Sequence, residues 1–148
     1  MIRRAVETDL PDVHRLDREA FAADAYPYFA LRQFFDACDD HMLVADDNGT
    51  LTGYIMAAAT KRDGSCWLLS LGVTPHKRGH GLGRLLISEL LRTLREEGVH
   101  TALSVVAPDN TSALHLYRSL GFTIDPDALR PNYFGPGGDR LPISLHLQ

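Results

Sequence analysis

Apolar residues recur along this chain with two periods, and the switches between them mark its elements. Leu10, Val13, Leu16, Ala20 and Phe21 fall at helical spacing. Ile2–Val6 ahead of them reads as a short strand. Thr8 is expected to cap the helix, and Pro11 suits its first turn, where a missing N–H costs nothing. Pro27 interrupts the pattern, and a second short helix follows with Phe29, Phe34 and Phe35 expected to face inward. Three apolar runs come next: Met42–Ala45, Leu51–Ala59 and Cys66–Val73. Turn signals at Asp47-Asn48-Gly49 and Arg62-Asp63-Gly64 separate them, so they predict an antiparallel meander.

Leu82, Leu85, Leu86, Leu90, Leu91 and Leu94 make the apolar stripe of a long helix that Gly98 ends. Thr101–Val106 reads as a strand. Asn110–Leu120 reads as a helix capped by Asn110 and stopped at Gly121. Phe122–Ile124 can form a strand, a loop rich in Pro and Gly runs to Gly138, and Leu141–Leu147 alternates as a last strand. The order is strand, two helices, three strands, helix, strand, helix, two strands. It predicts one α/β domain over residues 1–148, built on a mixed sheet.

The chain has 148 residues, and its net charge of −4 argues against a nucleic-acid partner, which calls for a basic face. Cys38 and Cys66 form no CxxC pair and sit in apolar surroundings, so both are expected to be buried thiols in a reducing cytoplasm. No apolar run reaches the ~20 residues of a membrane span, and Met1–Glu7 holds no signal core. The expectation is a cytoplasmic protein with no membrane partner.

Against that acidic background, the stretch Val73–Arg84 is basic and rich in glycine. It joins a strand to a long helix. Unpaired N–H groups and the helix dipole make such a junction attractive to anions. Gly79, Gly81 and Gly83 let a pyrophosphate approach the backbone, while His76, Lys77, Arg78, His80 and Arg84 add positive charge. A Walker loop fails because Arg84-Leu85, not Lys-Ser/Thr, follows Gly83. A dinucleotide fingerprint fails because Arg84 stands where its third glycine belongs. A zinc site on His76 and His80 lacks further ligands nearby, so no metal is expected. A plain structural turn is the remaining alternative.

Val73-x-Pro75-x-x-Arg78-Gly79-x-Gly81-x-Gly83 resembles the acetyl-CoA loop of the GNAT N-acetyltransferase superfamily. Asn110-x-x-Ala113-x-x-Leu116-Tyr117-x-x-x-Gly121-Phe122 resembles its second motif, in the right order and at the right separation. The resemblance spans essentially the whole chain. It implies a mostly antiparallel central sheet with a splayed parallel strand pair and helices on both faces. Acetyl-CoA is then the co-substrate and a primary amine the acceptor. Arg130-Pro131-Asn132-Tyr133-Phe134, followed by Gly137-Gly138-Asp139-Arg140, is similar to the last loop of RimI-type enzymes, which acetylate protein N-termini. Tyr133 and, between the first two helices, Tyr26 are the acceptor-binding residues this implies. A small amine is the alternative acceptor, and an acetyl-CoA-binding module without chemistry a further reading. Many relatives pair, so a homodimer is open.

The same resemblance implies that the backbone of Leu71, Gly72 and Val73 pairs with the pantetheine arm, and that an N–H near Val73 stabilises the oxyanion. The pyrophosphate would lie over Arg78, Gly79, His80, Gly81, Leu82, Gly83 and Arg84. Asn110 would hydrogen-bond the arm, with a plain N-cap as its alternative. Tyr117 would protonate the leaving thiolate as general acid. RimI-type enzymes often carry a glutamate five positions before the motif asparagine, but here that position is Val105. No base is assigned. Water relayed through backbone carbonyls, Ser70 or Ser104 is one candidate, and Tyr26 acting through water another. His115 lies off the Tyr117 face of its helix and His100 at a strand start. Phe21 and the other aromatic residues of the first helices either line an acceptor groove or fill core. Asp36, Asp39 and Asp40 either attract a cationic amine or form a solvated helix end.

Overall fold

The computed structural model describes residues 1–60 and 63–148, with Asp39 described without its side chain. Its elements run β1 (Ile2–Arg4), α1 (Leu10–Phe21), α2 (Tyr28–Cys38), β2 (Met42–Asp47), β3 (Thr50–Ala59), β4 (Ser65–Val73), α3 (Leu82–Glu96), β5 (Thr101–Val106), α4 (Thr111–Ser119), β6 (Thr123–Ile124) and β7 (Leu141–His146). They match the order predicted from periodicity. The strands form one 7-stranded sheet in the order β1-β2-β3-β4-β5-β7-β6. Among the described residues only β4 and β5 pair in parallel.

Each face of the sheet carries its own core. Leu86, Ile87, Leu90 and Leu94 of α3, with Tyr117 of α4, pack on Ile55, Cys66, Leu68 and Ala102. Leu10, Val13 and Leu16 of α1, with Leu31 of α2, pack on Val44, Tyr54 and Met56. This is a helix–sheet–helix arrangement, and burial of these stripes is its main favourable term. The β2–β3 hairpin closes through Asn48 and Gly49, whose φ of 53° and 94° fit the tight turn read from the sequence. Arg62 of the second predicted turn lies outside the described residues, while Gly64 has a φ of 71°.

Several local expectations are corrected. Thr8 does not cap α1. Asp9 holds that corner, its carboxylate accepting from the Val6 N–H at 2.8 Å and from both terminal nitrogens of Arg3. The Arg3 guanidinium holds the Asp9 carboxyl below its ordinary range, outweighing the opposite effect of burial. Phe29 points to solvent at 68% exposure, whereas Phe34 and Phe35 pack on the core. Leu85 is half exposed and Ile87 takes its place in the α3 stripe, as a strict 3.6-residue face requires. Cys38 is only half-buried, while Cys66 is fully buried and its thiol is pushed up to about 12 by desolvation. Asp36 pairs with Arg32 at 3.1 Å and Asp40 with Arg4 at 2.6 Å, so both belong to exposed ion pairs; Asp39's side chain lies outside the described residues.

Two irregularities in β4 position everything that follows. Its parallel register with β5 covers Ser65–Thr101, Cys66–Ala102 and Trp67–Leu103 and goes no further. Beyond it the strands part, and the Ser104 hydroxyl donates to the Leu68 carbonyl at 2.9 Å where a ladder bond would otherwise continue. On the other edge, Met56 pairs with Ser70 but Ala57 with Leu68, so Leu69 is an extra, bulged residue. Because side chains alternate faces, one extra residue flips the remainder of the strand. Cys66 and Leu68 face α3 before the bulge, Leu71 and Val73 after it. Ser70 is thereby turned toward α1, where it reaches Asp17.

Gly72 lies on the same α1-facing side, and a Cβ there would overlap the Tyr54 ring. Replacing Gly72 by Ala is expected to lower stability by ~1–3 kcal/mol through overpacking. Urea denaturation checks this, and an unchanged midpoint would contradict the packing described.

Candidate active site

Where β4 and β5 part, a cleft of about 380 Å³ opens in the sheet. Leu68, Leu69, Ser70 and Leu71 line it from β4, and Ser104, Val105 and Val106 from β5. Asn110, Ala113 and Tyr117 close the α4 side. Asp17, Phe21, Asp24 and Tyr26 close the α1 side, and Phe134 and Arg140 cover one end.

Leu71, Gly72 and Val73 pair with Ile55, Tyr54 and Gly53 on one edge, leaving the edge toward β5 without a strand. Backbone groups on that edge can take an extended ligand as an added strand. Asn110 is the N-cap of α4, its Oδ1 accepting from the Ala113 N–H at 3.2 Å. It caps and lines the cleft at once, which leaves its amide N–H₂ for a ligand. Tyr117 is buried between the core and the cleft, edge-on to Phe122 with ring centroids 5.1 Å apart. No hydrogen-bond partner for its hydroxyl occurs among the described residues, and no buried side-chain oxygen there is left unpaired. The hydroxyl therefore reaches open space. Desolvation raises its pKa from the ordinary 10 to about 12, so it stays a proton donor through neutral pH.

The glycine-rich loop depends on its glycines for its backbone path. Gly79 and Gly81 have φ of 79° and 85°, a region that only glycine enters freely, with open space around both. The first helical bond of α3 runs from the Leu85 N–H to Gly81 O at 3.0 Å, so the N–H groups of Leu82, Gly83 and Arg84 precede it and stay free for a ligand. Gly83 serves a different purpose. A Cβ there would press on Leu116 at 3.3 Å, so it lets α3 and α4 approach.

The two arginines of this loop fold back onto the protein. Arg78 Nε donates to Val73 O at 2.9 Å, and Arg84 donates to the Ser119 hydroxyl. His80, Gly81 and Leu82 line a separate surface cleft with Met1, Asp47 and Lys77. The structure thus gathers Leu71, Asn110, Tyr117 and Tyr26 in one cleft, while Lys77, His80, Gly81 and Leu82 of the loop line the other.

Tyr26 is held from both ends: its N–H donates to Asp17 Oδ2 at 2.7 Å and its hydroxyl to Leu69 O at 3.3 Å. Burial, and secondarily the charge of Asp17, raises its phenol pKa. Tyr133 does not line the cleft. Its neighbour Phe134 does, with the two rings 5.2 Å apart and Arg140 lying 4.6 Å above Phe134. Val105, at the position where the resemblance would place a carboxylate, lines the cleft. His115 and His100 are exposed and away from the cleft.

Sequence reasoning passed over Asp17. Its side chain is fully buried, and both carboxylate oxygens are engaged, Oδ1 by the hydroxyls of Tyr54 and of Ser70 (2.9 Å) and Oδ2 by Tyr26 N–H. A signal was present: Asp17 falls four residues after Val13, on the apolar stripe of α1. An acid in such a place needs partners to remain charged. Among the described residues no cluster of three or more His, Cys, Asp or Glu could hold a metal ion.

Known proteins resemble this chain in sequence and in fold. The model of the acetyltransferase (GNAT) family matches residues 10–122. L-amino acid N-acyltransferase MnaT of Escherichia coli is 36% identical over 86 residues, covering 56% of this chain and 50% of that one. The ribosomal protein bS18-alanine N-acetyltransferase of Escherichia coli is 28% identical over 147 residues, covering 93% and 94%. YncA of Salmonella typhimurium, solved with its cofactor acetyl-CoA, superposes with a TM-score of 0.82 at 26% identity, covering 100% of this chain and 94% of that one. The chain spans about half the length of two curated relatives it matches and less than a third of others.

Tyr117 generates a stability prediction with a definite sign. The native state keeps the phenol proton to about 12, whereas an unfolded chain releases it near 10. Its contribution to stability is therefore intact below pH 10 and is lost as pH climbs toward 12. Thermal melts should show Tyr117→Phe losing less stability than wild type across that window; parallel curves would contradict the burial assigned to the hydroxyl.

Proposed function

The chain belongs to the acetyltransferase (GNAT) family, and on that premise we propose that it transfers the acetyl group of acetyl-CoA to a primary amine, foremost the α-amino group of a protein or peptide N-terminus. The observation that carries this reading is the parting of β4 and β5, with Tyr117 and Asn110 on one wall of the gap and an unoccupied strand edge on the other. The pantetheine arm lies along Leu71, Gly72 and Val73, placing the thioester between Tyr117 and the α1 side of the cleft. The pyrophosphate rests on the free N–H groups at the start of α3, with Gly79 and Gly81 allowing the approach. Charge for that anion comes from the dipole and the backbone, supplemented by Arg78, His80 and Arg84 when their side chains turn outward.

Chemistry then follows from positions. The amine nitrogen attacks the thioester carbonyl, an N–H near Val73 steadies the oxyanion, and Tyr117 donates its proton to the departing sulfur. Tyr26, with Phe134 and Tyr133 at the rim, flanks the incoming residue. Two observations support a protein N-terminus as acceptor. The cleft opens beside an exposed aromatic rim of Tyr133 and Phe134, and the near-full-length relative acts on a ribosomal protein alanine.

One observation favours a second acceptor, a free amino acid. Arg140 lines the cleft with its side chain only 12% exposed and its partner Asp24 at 3.6 Å, so a substrate carboxylate could replace that loose pair.

Release of CoA thiol from acetyl-CoA, measured with peptides of varied N-termini and a panel of free amino acids and simple amines, decides between the readings. Turnover on peptides that blocking the N-terminus abolishes is the expected result. Turnover confined to amino acids, lost in Arg140→Ala, would replace it with the second reading. Gly81→Trp sets a bulky side chain in a left-handed position over the cradle, and acetyl-CoA binding measured by calorimetry should weaken by tenfold or more, about 1.4 kcal/mol. Unchanged affinity would remove the loop from the cofactor site.

A further inference from the structure

An amine enters the cleft as an ammonium ion at neutral pH and cannot attack until it loses a proton. Val105 removes the acid that RimI-type enzymes often place on β5. Asp24 lines the cleft too, but its side chain is 75% exposed and faces Arg140. Asp17 is the fully buried carboxylate among the lining residues, and both its oxygens are engaged. Ser70 lines the cleft as well. Its hydroxyl donates to Asp17 Oδ1 at 2.9 Å, and the Tyr54 hydroxyl lies 2.7 Å from it and also donates to Asp17. Ser70 faces this way only because of the bulge at Leu69.

Resting on the acetyltransferase reading, we infer that Ser70 and Asp17 form the proton exit for the acceptor amine, Ser70 touching the amine and Asp17 receiving the charge behind it. The ammonium gives one proton to Ser70 Oγ as the serine's own proton passes to Asp17 Oδ1. This leaves a neutral amine, an intact serine and a protonated Asp17. The amine nitrogen bonds to the carbonyl carbon, the carbon–sulfur bond breaks, and Tyr117 protonates the thiolate. The second proton from nitrogen restores Tyr117, and Asp17 later releases its proton to solvent. The sum is an amide, CoA thiol and one proton.

The surroundings of Asp17 suit this task. Tyr54 from β3, Ser70 from β4 and the Tyr26 N–H from the segment after α1 all donate to it, so the carboxyl group is oriented inside an apolar layer. The other titratable groups of the cleft are Tyr26, Asp24, Arg140 and Tyr117. Tyr26 and Tyr117 are phenols with raised pKa values and serve as donors. A carboxylate that satisfies three donors is also what a purely structural knot needs, so the test must separate the two roles.

The test is the pH profile of kcat/KM from pH 6 to 10 for wild type, Ser70→Ala, Ser70→Thr and Asp17→Asn, using whichever peptide or amine in the panel turns over. Melting temperature and acetyl-CoA affinity are measured alongside. Ser70→Ala and Asp17→Asn are expected to lose about 100-fold at pH 7, with the deficit shrinking toward pH 10 as the amine loses its proton unaided. Ser70→Thr keeps a hydroxyl and should recover most of the activity. A loss equal at every pH, or activity unchanged in Ser70→Ala while Asp17→Asn only melts lower, would overturn the proton exit and leave Asp17 structural. Should Asp17→Asn not fold, the two Ser70 variants decide alone. Absence of turnover by wild type on every acceptor would instead remove the acetyltransferase reading, and this inference with it.

Discussion

The site depends on a parallel strand pair that is deliberately short. β4 and β5 keep register only as far as Trp67 and Leu103 and then diverge. A parted sheet would normally leave backbone groups without partners at a cost of ~1–3 kcal/mol each. Here the Ser104 hydroxyl takes over the Leu68 carbonyl, and the bulge at Leu69 hands its carbonyl to Tyr26. Side chains thus satisfy polar groups at the mouth of the gap and keep it open. What remains further along β4 is a strand edge facing empty space, a fixed and narrow invitation to an extended ligand.

The two cores hold this gap from opposite sides. The α3–α4 layer positions Tyr117 and Asn110, and Gly83 allows those helices to pack closely enough to do so. The α1–α2 layer brings Asp17 and Tyr26. Gly72 faces the α1 layer, where a Cβ would overlap the Tyr54 ring whose hydroxyl donates to Asp17. One wall therefore presents a proton donor with a raised pKa, and the other a hydrogen-bonded carboxylate behind a serine. The thioester and amine of the proposed reaction need those opposite properties on opposite sides.

Most of the fold was legible in the sequence because its elements are strongly amphipathic. The leucine stripe of α3 and the alternation of β7 leave little choice of period. The loop at Gly79 and Gly81 and the α4 pair Asn110 and Tyr117 were legible because backbone geometry and motif spacing demand particular residues there. Thr8 misled because Asp9, fixed by Arg3, supplies the corner instead. Arg78 and Arg84 read as ligand cations, yet each donates to a nearby protein acceptor, Val73 O and the Ser119 hydroxyl, which residue type alone does not reveal. The Leu69 bulge left no mark in composition, since one extra apolar residue in an apolar strand changes no pattern. Without it, Ser70 would face the wrong side and Asp17 would look like an ordinary polar residue of α1. Phe134 rather than Tyr133 lines the cleft, a placement that residue types alone do not encode.

The measurement that bears most directly on this account is amide hydrogen exchange, followed by mass spectrometry, with and without acetyl-CoA. The account predicts slower exchange over residues 68–73 of β4 and 79–85 at the start of α3, because an added arm pairs with the open edge and a pyrophosphate occupies the free N–H groups. Protection confined to the cleft bordered by Met1, Asp47 and Lys77, with β4 unchanged, would show that the parted strands are not where the cofactor lies.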